Sequence, residues 1–189
     1  MAVNETRLTA GPTDGPERGL HWVPSASVEA GIRCRRPGGP HERVELEPRT
    51  LVGVHETIKM TPMSELMGRA FGTAAAELGK QGAFPAGPPI SMYHGMPTDT
   101  VDVTAGFPVA HPVTPTPLVV VETLPGGPAI VAIHTGSYDT LTQTYGELST
   151  WLLEQKLDLA PDMWEECLVG PDTEPDPAKW QTRIVFPLR

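Results

Sequence analysis

Two glutamates stand side by side in Met163-Trp164-Glu165-Glu166-Cys167-Leu168, a segment whose residue types read as a β-strand. Strand side chains alternate between faces, so Met163, Glu165 and Cys167 point one way while Trp164, Glu166 and Leu168 point the other. The two carboxylates therefore meet different surroundings, and at most one is expected to face the interior. A carboxylate beside apolar walls is costly to keep ionised and unpaired, so its pKa rises or a cation completes it. Tyr93, Tyr138, Tyr145 and Trp180 are available as aromatic walls. Such a site suits a delocalised cation, each cation–π contact adding roughly 0.5–2 kcal/mol. From spacing alone a plainer reading stays open, in which Glu165 is a surface strand residue and the aromatics are core.

Other chemistries find less support. A nucleophilic role for Cys167 needs a neighbouring base, and the pattern places no histidine beside it. Cys34 and Cys167 form no CxxC pair and read as free thiols. The six histidines include no HxxxH pair. His55-Glu56 opens like HExxH, but Lys59 stands where the second ligand is needed. No metal site, cofactor fingerprint, nucleophile triad or phosphate loop is expected.

The elements that position these residues begin at Val44. Val44-Glu45-Leu46-Glu47 and Leu51-Val52-Gly53-Val54 alternate as strands, and Thr61-Pro62 opens a helix as cap and first helical position. Met63, Leu66, Met67, Ala70, Phe71, Ala74 and Leu78 give that helix one apolar stripe, and Gly82 stops it. Strands follow at Ile90–His94 and from Val101. The proline-rich stretch His111–Pro117 reads as an extended linker. Beyond it the pattern repeats: strands Leu118–Glu122 and Ala129–His134 surround a Pro125-Gly126-Gly127-Pro128 turn. A helix from about Asp139 carries Leu141, Tyr145, Leu148, Trp151 and Leu152 on one face, and strands follow at Met163–Leu168 and Trp180–Phe186. Gln81 and Gln155 end the two helices, Pro97 and Pro171 follow the next strands, and both pairs are 74 residues apart. His55 and His134 close matching strands. Such spacing indicates a duplicated strand–helix–strand–strand unit, folded into one antiparallel α+β domain with a cleft between its halves. The duplication sets Glu165 opposite Ser91 and Cys167 opposite Tyr93, all four converging on that cleft.

Residues 1–43 are expected to form an irregular arm, since residues 1–40 hold five prolines and six glycines. The main domain then spans 44–189, with repeat halves at about 44–110 and 118–189. The arm lacks the two amphipathic helices a helix-turn-helix needs. Net charge is −9, and residues 118–189 alone carry eleven acids against four bases. Such a surface repels phosphate backbones, so direct nucleic-acid binding is not expected. No stretch of about 18 apolar residues occurs and the N-terminus has no signal core, so a cytoplasmic location is expected, without membrane partners.

The ordered strings His134-Thr135-Gly136-Ser137-Tyr138-Asp139-Thr140-Leu141, Trp151-Leu152, Trp164 to Pro171 and Trp180-Gln181-Thr182-Arg183-Ile184 resemble the GyrI-like small-molecule-binding domain. This is the effector-binding domain also fused to AraC-type and MerR-type regulators. The resemblance covers about residues 44–189 and implies a duplicated βαββ fold. It further implies a stand-alone multidrug-binding protein that recognises lipophilic, aromatic, often cationic molecules through a pocket glutamate. Glu165 matches the glutamate of the family's Glu-x-Tyr strand, with Cys167 in place of the usual tyrosine. Tyr138 matches its His-x-Gly-x-Tyr element. The ligand-binding set is then Glu165, Cys167, Tyr138, Tyr93, Ser91, Trp180 and Tyr145. The resemblance also implies two alternatives. One is a hydrolase of cyclopropane-containing DNA-alkylating compounds with Glu165 as acid or base; the other is a protein-binding, gyrase-inhibitor-like role.

Overall fold

The structure is a computed structural model and describes residues 41–59, 63–96 and 98–189. The expected arm up to Pro40 and the Thr61-Pro62 helix opening lie outside the described residues. The described residues form β1 (His41–Leu46), β2 (Arg49–Lys59), α1 (Met63–Lys80), β3 (Ile90–Tyr93) and β4 (Thr100–Val109). Then follow β5 (Val120–Leu124), β6 (Gly127–Thr135), α2 (Leu141–Gln155), β7 (Met163–Val169) and β8 (Gln181–Pro187). β1 therefore starts within the expected arm, three residues ahead of Val44.

Both helices are amphipathic, as their periodicity requires. Leu66, Ala70, Ala74 and Leu78 of α1 are buried, and Gly82 just beyond it takes a φ of 67° that glycine adopts without a Cβ penalty. Leu148 and Leu152 of α2 are buried against Ile130, Ala132 and Ile184 of the sheet. A one-turn 3-10 segment, Tyr138–Thr140, leads into α2. Ser137 caps it by accepting from the Asp139 N–H.

The eight strands form one antiparallel sheet in the order β1-β6-β8-β7-β3-β4-β2-β5. Read from its centre outward, that order is β7, β8, β6, β1 on one side and β3, β4, β2, β5 on the other. Each half is thus a βαββ unit preceded by a strand that it lends to the other half: β1 pairs with β6, and β5 pairs with β2. A pseudo-twofold axis falls between Ser91 and Glu165. These two are 74 residues apart and are also direct partners in the β3–β7 ladder.

The sheet curls strongly. Val44 of β1 and Leu124 of β5, from its two edges, share a core cluster with Leu51, Ile90, Met92, Trp164 and Val185 on the face away from the helices. β2 and β4 approach most closely at Gly53 and Gly106, which sit opposite each other. A Cβ on Gly106 would lie 2.0 Å from the Val52 carbonyl oxygen, and one on Gly53 would lie 2.7 Å from that of Ala105. Because this face closes on itself, the fully buried glutamate of the pair is Glu166, while Glu165 on the helix side is half-buried. Glu166 is only 2% exposed. Its carboxylate accepts from Arg49 of β2, from Arg183 Nη1 of β8 at 3.0 Å and from the Trp164 indole at 3.0 Å. Arg49 reaches it from three strands away in the sheet order, a span that the curl closes.

His55 and His134 lie on corresponding strands, as expected, but one residue out of phase. His134 follows Ile130 and Ala132 onto the helix side, where its Nδ1 meets Thr144 Oγ1 at 2.8 Å. His55 alternates with Val52 and Val54, which pack toward α1, and so faces the other way.

Two stability changes follow from the curl. Gly106→Ala should cost about 1–3 kcal/mol, since backbone must move to admit the methyl. Glu166→Gln should cost about 3 kcal/mol, because two guanidiniums lose their counter-charge. Urea denaturation measures both, and an unchanged midpoint for either would remove that residue from the account.

Candidate functional site

β7 is central in the sheet and delivers Glu165 to the helix side, one residue from Glu166 on the other. Its only hydrogen-bond donors among the described residues are two phenols. Tyr93 of β3 donates to Oε2 at 3.1 Å, and Tyr145 of α2 donates to Oε1 at 2.5 Å. Tyr145 is held edge-on against Phe186 of β8, with ring centroids 6.5 Å apart. Glu165 is thus gripped from both halves of the chain, by a strand of the first and a helix of the second.

The electrostatics follow from this arrangement. Burial pushes the Glu165 carboxyl above its ordinary range, while the Tyr145 and Tyr93 hydroxyls, and more weakly His134, pull it back. Burial and the adjacent carboxylate push both phenols up, so they stay protonated and act as donors. The result is a carboxylate with hydrogen bonds but no Lys or Arg partner among the described residues, which contrasts with Glu166 on the same strand.

Next along the same face lies Cys167, a free thiol. The Tyr138 hydroxyl and the Cys167 Sγ are 3.2 Å apart. Tyr138 stacks obliquely on Trp180, with ring centroids at 5.0 Å, and is 41% exposed, so this pair forms a solvent-facing rim. Gly170 leaves room for the rim. A Cβ there would approach Cys167 Sγ to 2.6 Å and the Tyr138 hydroxyl to 3.3 Å. Burial pushes the Cys167 thiol up, which keeps it protonated and poorly nucleophilic.

The expected residues therefore separate into two adjoining groups. Glu165, Tyr93 and Tyr145 meet directly, and Cys167, Tyr138 and Trp180 meet beside them. Ser91 is paired with Glu165 in the ladder, as the duplication requires, and its hydroxyl points to Met67 Sδ of α1 at 3.2 Å. The expectation that Cys167 lies opposite Tyr93 is not met. β3 and β7 run antiparallel about the pseudo-twofold, so residues two steps past its axis diverge. Tyr93 pairs with Met163, while the Cys167 N–H donates to the Pro89 carbonyl. Sequence reasoning passed over His134 as a site neighbour. It is buried, with Nε2 3.1 Å from the Ser137 carbonyl, and fixes the loop that carries Tyr138. Its place at the head of the His-x-Gly-x-Tyr string was the available signal.

Comparison with known proteins agrees with this architecture. No curated protein sequence gives a significant match. Among solved structures, the EcmrR C-terminal domain superposes with a TM-score of 0.70 at 20% identity, covering 79% of this chain and 96% of that one. SAV2435 bound to tetraphenylphosphonium gives a TM-score of 0.55 at 14% identity, covering 79% of this chain and 93% of that one. A structure described as a hydrolase from Listeria innocua gives 0.55 at 15% identity, covering 82% and 94%. At these identities the likeness concerns the fold. Residues 40–189 match the GyrI-like small molecule binding domain, and the chain belongs to that family.

Proposed function

We propose that this chain is a receptor for lipophilic, aromatic cations, with Glu165 as the counter-charge and Tyr93, Tyr145, Tyr138 and Trp180 as the aromatic surround. The observation that carries this reading is the Glu165 carboxylate itself, half-buried and held by two neutral phenols. A cation entering the site would supply the charge that the protein withholds. A delocalised cation carries a smaller desolvation cost than an ammonium and can lie against ring faces. Membership of a small-molecule-binding family supports the ligand class, and the tetraphenylphosphonium held by a protein of the same fold supplies a first probe. Cys167 stands where the family pattern has a tyrosine, so this site trades an aromatic wall for a smaller, polarisable one.

In titrations with tetraphenylphosphonium followed by calorimetry, Glu165→Gln should weaken binding at least about tenfold, some 1.4 kcal/mol. Equal affinities would remove Glu165 from the site. A parallel incubation with a cyclopropane-bearing alkylator, read by mass spectrometry, should return the compound unchanged. A water adduct formed catalytically by the wild type and lost in Glu165→Gln would instead make the protein a hydrolase.

Affinity for the cation should also depend on pH with a definite sign. A cation binds the ionised carboxylate, and burial raises the proton affinity of that carboxylate in the free protein. Binding should therefore strengthen as pH rises from the ordinary glutamate range through the raised Glu165 pKa, then level off. Tyr145→Phe removes a hydrogen bond that favours the ionised form, so the midpoint of this rise should move to higher pH. A flat profile in the wild type, or a midpoint moving down in Tyr145→Phe, would contradict the assignment.

A further inference from the structure

On the face away from the helices, at one end of the curled sheet, three possible metal ligands converge without any sequence spacing to announce them. His55 comes from β2, His94 directly follows β3, and Glu122 comes from β5. One ligand atom from each lies within 4.8 Å of the others. Two of their separations, each to a different Glu122 oxygen, approach those of a metal site. His94 Nε2 is 3.4 Å from Glu122 Oε2, and His55 Nδ1 is 3.7 Å from Glu122 Oε1. In tetrahedral zinc with bonds of about 2.0–2.1 Å, neighbouring ligand atoms lie about 3.3 Å apart.

The surroundings are organised as well. The Thr104 hydroxyl is fully buried and lies 2.9 Å from His55 Nδ1, 2.9 Å from His94 Nε2 and 3.1 Å from Glu122 Oε1. It gathers the three ligand atoms around one point. The other nitrogen of His55 faces Asp102 Oδ1 at 3.1 Å, and Asp102 is itself oriented by the Thr57 hydroxyl at 3.1 Å. A carboxylate behind a ligating imidazole is the usual means of fixing its tautomer and raising its basicity toward a metal. Glu122 Oε2 is buried and has no hydrogen-bond partner among the described residues, an acceptor left open on the side of His94. The site is nonetheless reachable, since the His55 side chain is 38% exposed.

We propose that His55, His94 and Glu122 bind one divalent transition-metal ion of the zinc class, with Asp102 positioning His55. Two imidazoles and one carboxylate match the nitrogen and oxygen preferences of such ions and leave a fourth position for solvent or Thr104. This site is separate from Glu165, which lies on the opposite face of the sheet.

The test uses the full chain, free of any histidine tag, titrated with zinc(II) by calorimetry and with cobalt(II) by visible absorption. The wild type should take up one equivalent at this site, with a cobalt spectrum of four-coordinate type. His94→Ala should lower the affinity at least tenfold, and Asp102→Asn should lower it about 10- to 100-fold while keeping the stoichiometry. Circular dichroism checks that each variant is folded. Should His94→Ala fail to fold, Glu122→Gln, of nearly equal volume, takes its place with the same expected loss. Absence of saturable binding in the wild type, or binding unaffected in both His94→Ala and Glu122→Gln, would overturn the proposal. The second result would place the metal elsewhere on the chain.

Discussion

One strand carries two consecutive carboxylates, one buried and one half-buried, and the fold satisfies them in opposite ways. Glu166 is neutralised by Arg49 and Arg183 and fixed by the Trp164 indole. Its cations come from β2 and β8, so the interaction locks strands of both halves around β7. Glu165 receives only hydroxyl donors. The first carboxylate is a completed structural ion pair, and the second is held by hydrogen bonds alone among the described residues.

Much of this was legible in the residues. The stripe from Leu66 to Leu78 and the face from Leu141 to Leu152 gave the two helices, because burial on one side imposes a 3.6-residue period. Alternation on β7 correctly separated Glu165 from Glu166. What alternation could not convey is that the face bearing Glu166 closes into a core. That depends on the curl, along which Gly53 meets Gly106, two residues far apart in sequence whose pairing has no local signature. The same gap hid the Arg49–Glu166 contact, which crosses 117 positions.

Internal duplication was readable from equal spacings, yet spacing alone misplaced Cys167. Equivalence by repeat and adjacency in space coincide only on the pseudo-twofold axis, where Ser91 meets Glu165. Away from it the antiparallel ladder carries equivalent residues apart. Tyr93 therefore reaches Glu165 from one side, and Cys167 joins Tyr138 and Trp180 on the other. The site is asymmetric although its scaffold is nearly symmetric.

The reciprocal exchange of β1 and β5 between the halves keeps the scaffold symmetric, and the asymmetry comes from the different residues the two halves carry. Topologically, the chain is a strand-swapped dimer joined end to end through the segment from His111 to Pro117. In a true dimer of identical units, whatever residue occupied the axis would face its own copy across the β3–β7 ladder. A glutamate there would confront another glutamate at cross-strand distance, about 5 Å, and the two could not both be ionised in a buried site. Fusion removes the identity requirement, so one copy can be serine. A lone carboxylate on the axis is thus something this architecture can hold as one chain and could not hold as two.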